Sequence, residues 1–98
     1  MIVVFSAEAE TDLEAIGDYI AKNSPRRALT FIHELKAHAA RIADMPLGYG
    51  LVPRYEQYGI HRCVHGNYLI FFKVDSDRIE IVHILHGAMD YAAILYPS

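Results

Sequence analysis

The chemistry open to this sequence sits in arginine, histidine and tyrosine side chains near the ends of its predicted strands. The stretch VHILHGAMDY, residues 82–91, leaves a β-strand at His86 and continues to Asp90 and Tyr91. Arg62 lies on an earlier predicted strand and Arg54 in the segment before it. Arginine grips phosphate, and histidine moves a proton near neutral pH. Arg62 and His86 facing one another across a sheet would make such a pair. A structural Arg62–Asp90 ion pair competes with it, and the sequence favours that plainer arrangement because the two use the same residue types.

Six histidines raise the question of a metal. His33 and His38 are five apart on a predicted helix and share a face poorly. His61 and His65 share a strand face but stand about 13 Å apart at strand rise. His83 and His86 fall on opposite faces of a regular strand. No Cys/His cluster has metal-ligand spacing, so no metal is expected. Cys63, the single cysteine, reads as a small buried hydrophobe. No phosphate loop, nucleophile elbow or dinucleotide-binding glycine pair is present, and no cofactor is expected.

The charge balance narrows the partners. Net charge is −3, and residues 1–24 hold five acids against one base. A protein that holds nucleic acid by its phosphates carries a basic surplus, so sequence-specific DNA binding by this chain alone is not expected. A lone cysteine excludes an internal disulfide framework and fits a reducing cytoplasm. No apolar run approaches the roughly 20 residues of a membrane span. MIVVFSAEAE has no basic segment ahead of its apolar run and does not read as a signal peptide.

These residues must be positioned by one small domain, residues 1–98. Residues 2–5 read as a strand. Ser6 suits a helix N-cap, and Ala9, Leu13, Ile16 and Ile20 trace one face of a helix over about 7–22. Its other face, Glu10, Asp12, Glu14 and Asp18, reads as solvated. Ser24-Pro25 restarts a second helix, from 25 to about 44, antiparallel to the first. MPLGYG ends it. Strands are predicted over 59–65, 68–74 and 78–85, the first pair joined at Gly66-Asn67. A short helical tail follows over 89–95. The class is α+β, with a helix hairpin on a twisted antiparallel sheet.

The strands are too apolar for a sheet covered on one side. Tyr68, Ile70, Phe72 and Val74 form one face of the central strand, while Leu69 and Phe71 lie on the other. In the last strand Ile79, Ile81, His83 and Leu85 oppose Glu80, Val82, Ile84 and His86. One hairpin covers one face. The tail, a second copy or a partner protein must cover the other, and the small size of the tail favours a partner.

Together FSAEAETDLEAIGDYIAKNSP, MPLGYG, GIHRCVHGNYLIFFKVD and HILHGAMDY resemble the ParE branch of the RelE/ParE toxins, from bacterial type II toxin–antitoxin pairs. The resemblance implies the helix-hairpin-on-sheet fold, a bacterial cytoplasmic location and a hetero-oligomeric complex. It implies a ParD-like antitoxin whose arm wraps the toxin. It also implies DNA gyrase as the target, or for RelE-like members messenger RNA cut on the ribosome, or for an inactive member antitoxin binding alone. By position, Leu13, Ile16, Tyr19 and Ile20 match the helix-one packing pattern and groove wall. With Leu69 and Phe71 they are the expected antitoxin contacts. Pro46 and Gly48 match the turn, Tyr68 and Ile70 the central strand. Arg62, His86, Asp90 and Tyr91 are the expected target contacts, and Arg62, His86 and Tyr91 would be the catalytic set of a nuclease. Ala88 and Met89 stand where the family carries two basic residues. Without those cations the scissile phosphate is poorly held, so a binding protein is expected rather than a nuclease.

Overall fold

The computed structural model describes residues 1–96. Strand β1, Ile2–Phe5, leads into α1, Ala7–Ala21. Ser6 caps α1 by accepting the Ala9 amide hydrogen at 3.0 Å, and its hydroxyl donates to the Val82 carbonyl at 2.9 Å. One serine thus starts the helix and ties it to the sheet. Ser24 caps α2, Pro25–Arg41, in the same way, with Pro25 in the first turn, where its missing N–H costs nothing. Short 3₁₀ turns at Ile42–Asp44, Pro46–Gly48 and Glu56–Tyr58 carry the chain across. Strands β2, His61–His65, β3, Tyr68–Val74, and β4, Arg78–His86, then form a meander. Helix α3, Tyr91–Leu95, follows. Gly66 makes the β2–β3 turn at a φ of 60°, where a Cβ would be strained.

The sheet order is β1-β4-β3-β2. The meander is antiparallel as expected, but β1 pairs parallel to β4, so the sheet is mixed. The helix hairpin returns the chain near its start, and three further strands leave β4 running in the direction of β1.

A bulge changes the faces of β4. Phe71 pairs with His83 but Phe72 with Ile81, leaving Val82 extra. One extra residue reverses the side-chain alternation beyond it. Ile79, Ile81 and Ile84 therefore all pack under the hairpin, with Ile70, Phe72 and Cys63. Val82 and Leu85 face the other way. The strict alternation expected for β4 holds only up to the bulge.

The second face is covered from within the chain. Val52, Ile60, Phe71 and Leu85 form a buried cluster roofed by Tyr55, Tyr91, Leu95 and Tyr96. The segment before β2 and the C-terminal helix thus do the covering expected of a partner.

Candidate functional site

The end of the sheet carries two recesses on opposite faces. On the hairpin side, Asp12, Ile16 and Tyr19 of α1 face Tyr68, Ile84, His86 and Met89 across a groove of about 510 Å³. His86 sits edge-on to Tyr68, with ring centroids 5.2 Å apart. Its Nδ1 accepts the Ala88 amide hydrogen at 3.0 Å, and its carbonyl accepts that of Met89 at 3.0 Å. HGAM is therefore a strand-ending turn that His86 itself braces.

On the other face, Pro53, Arg54, Tyr55, Arg62, Asp90 and Tyr91 line a polar recess of about 380 Å³. Arg62 donates from Nη1 to the Tyr91 hydroxyl at 3.4 Å. Arg54 holds a left-handed φ of 73°, uncommon for a residue with a Cβ. Tyr55 stacks on Tyr96 at 4.4 Å, which fixes this wall against the tail. Among the described residues Arg27–Glu34 is an ion pair and His83–Asp12 a hydrogen-bonding contact, so the expected Arg62–Asp90 pair does not form.

Arg62 and Tyr91 are therefore brought together, with Asp90 beside them, while His86 is not. Arg62 pairs in register with Phe71 of the second cluster, whereas His86 pairs with Tyr68 under the hairpin. Of the expected antitoxin contacts, Leu13 and Ile16 are buried but border surface grooves, Tyr19 is exposed and Ile20 is half-buried. Leu69 is half-buried on the second face, and Phe71 is fully buried there, so Phe71 is a core residue of this chain rather than a contact surface.

Two clusters escaped the sequence reading. Asp12 falls on the helix face whose pattern reads as solvated, yet its Oδ2 accepts from the Ile84 amide at 2.9 Å and contacts His83 Nδ1 at 2.8 Å. Nothing local marks it out from Glu10 or Glu14. The second cluster joins α2 to β2. His38 Nε2 lies 3.2 Å from Cys63 Sγ, and His38 Nδ1 lies 2.8 Å from His65 Nδ1. Burial pushes the Cys63 thiol up, while the Tyr49 hydroxyl and Arg41 pull it down less strongly. Burial, then His65 and Arg41, push the His38 imidazole down. Both groups therefore favour their neutral forms, unlike the thiolate of an activated nucleophile. Among the described residues no three His, Cys, Asp or Glu side chains converge on a metal position.

This cluster sets a pH dependence. Two protonated imidazoles cannot keep facing Nδ1 atoms at 2.8 Å, because both would then present N–H. A depressed His38 pKa means that the unfolded chain binds the proton more readily. The stability it contributes is present above the ordinary imidazole value of about 6.5 and is lost as pH falls through the depressed one. Thermal unfolding from about pH 7.5 to about pH 5.5 should show a falling Tm. His38→Phe should flatten that slope, and an unchanged slope would remove His38 as its source.

Among the described residues no helix is long and apolar enough to cross a membrane. A family model described as "ParE toxin of type II toxin-antitoxin system, parDE" matches residues 3–91. Toxin ParE1 of Caulobacter vibrioides is 32% identical over 91 residues, covering 92% of this chain and 93% of that protein. Two solved structures share the fold. The chromosomal ParDE system from P. aeruginosa has a TM-score of 0.74 and 21% identity, over 88% of this chain and 95% of that one. The toxin–antitoxin complex RelBE2 from Mycobacterium tuberculosis has a TM-score of 0.64 and 23% identity, over 90% of this chain and 92% of that one.

Proposed function

The chain belongs to the ParE toxin family of type II toxin–antitoxin systems, and from that membership we propose that it stops DNA replication by inhibiting DNA gyrase and is neutralised by a ParD-like antitoxin. The observation that carries the choice of target is the separation of the ionisable groups. A nuclease needs a cation for the phosphate and a proton-transfer group within reach of the same atoms. Here the arginine–tyrosine contact is on one face of the sheet, and His86 is on the other, its Nδ1 occupied by its own turn. Ala88 and Met89 add no cation between them. A surface that binds a protein target does not require such convergence, and the recess around Arg54, Arg62, Asp90 and Tyr91 supplies polar contacts of that kind. Support for the antitoxin comes from α1, where exposed Tyr19 stands beside half-buried Ile20 and the groove edge of Ile16.

The test is induction of the chain without antitoxin, followed by pulses of labelled thymidine and methionine. Thymidine uptake should fall first, and purified chain should trap gyrase on cleaved DNA. If methionine uptake falls first and Arg62→Ala restores it, the chain is an mRNA endonuclease and the gyrase reading fails. If neither falls, the chain binds an antitoxin without poisoning anything.

A further inference from the structure

A second groove, of about 680 Å³, runs along the outer face of the hairpin between α1 and α2. Three features there work against the isolated chain. First, Gly17 sits in the middle of α1, where glycine weakens a helix. Packing within the chain does not require it. A Cβ at Gly17 would meet Ile32 at 3.6 Å, an ordinary contact. What the missing side chain provides is depth, over a floor of Leu13, Ala28 and Ile32. Second, Leu29 on the same groove is 68% exposed. Third, Glu10, Glu14 and Asp18 line the α1 rim at successive i, i+4 positions. Like charges at that spacing repel; Glu10, in the first turn, is favoured by the helix N-terminus, whereas Asp18 approaches the other end, where negative charge is unfavourable. Among the described residues none of the three has a salt-bridge partner. The opposite rim carries His33 and Lys36.

We propose that the Glu10–Glu14–Asp18 ridge determines which antitoxin this chain accepts, by selecting an amphipathic helix with basic side chains along one edge. The inference rests on the antitoxin reading above. An apolar ridge of that helix enters the slot over Gly17 and covers Leu29. Its basic edge lies over α1, because the α2 rim is neutral to positive. One turn advances about 6 Å in four residues, so three acids call for Lys or Arg at three successive turns. Helix-in-groove docking combines such anchors with rim charges that reject wrong partners.

The probes are two synthetic helical peptides with the same apolar ridge, one with lysines at i, i+4 and i+8 along one edge and the other with glutamates. Fluorescence anisotropy with the full chain should show the lysine peptide binding about tenfold tighter or better, with the gap shrinking as salt screens it. Glu14→Lys combined with Asp18→Lys should reverse the preference. Gly17→Leu should fill the slot and abolish binding of both peptides. These variants should melt at or slightly above wild type, since they replace a helix-interior glycine or relieve like-charge repulsion along α1. Equal affinity for the two peptides, or binding unaffected by Gly17→Leu, overturns the proposal. Co-purification with a ParD-like antitoxin separates the two levels. If the antitoxin binds and the double charge reversal leaves its affinity unchanged, the ridge inference falls and the antitoxin reading stands. If wild type binds no such antitoxin, both fall.

Discussion

Phe71→Ala should lower the free energy of unfolding by about 3–5 kcal/mol, the range for emptying a fully buried aromatic site. Phe71 has no exposed surface and fills the cluster of Val52, Ile60 and Leu85. Its ring lies 5.2 Å from that of Tyr91, so the cavity would open directly beneath the Arg62–Tyr91 contact. Domains of this size have only about 5–15 kcal/mol in total, so the loss is a large fraction of it. Chemical denaturation should show an earlier midpoint at an unchanged slope. Tyr19→Ala is the counterpart, because Tyr19 is 66% exposed. It should leave the midpoint within about 0.5 kcal/mol of wild type and act on antitoxin affinity instead. Near-normal stability for Phe71→Ala would mean that the segment before β2 and α3 do not roof the second face.

The second large effect is expected at Asp12. Asp12→Ala should cost about 2–3 kcal/mol, because it leaves the amide beside the bulge without its acceptor and removes the partner of His83. The Ile84 side chain is 1% exposed, but Asp12 keeps 18% of its side-chain surface and borders an open groove, so water partly replaces the lost oxygen and holds the cost to this range. Asp12→Asn keeps an oxygen for the amide and should cost less. Hydrogen exchange at the Ile84 amide is the discriminating measurement. It should quicken strongly in the alanine variant and modestly in the asparagine one. Unchanged exchange in both would show that the carboxylate does not hold this strand.

Both residues mark where local reading stopped. Phe71 lies on the second face as the uninterrupted alternation of β3 through Tyr68–Val74 requires. What could not be read was the cover, which comes from residues up to 25 positions away whose own pattern is irregular. Asp12 has the exposure pattern of a surface helix position until β4, some 70 residues later, presents an amide and an imidazole to it. His38, Cys63 and His65 are likewise joined across 25 residues or more, by no spacing that a motif would encode.

What the sequence determined alone is everything decided within a few residues. Ser6 and Ser24 start the helices because their hydroxyls meet amides three residues on. Apolar periodicity placed both helices and the central strand, and the ordered motifs pointed to the family that the comparisons establish. Only the tertiary structure decided the direction of β1, the extra residue at Val82 and the location of each functional group after it. The reason is the period of two. One inserted residue leaves every local preference of β4 intact yet reverses the faces beyond it, putting His86 under the hairpin and away from Arg62.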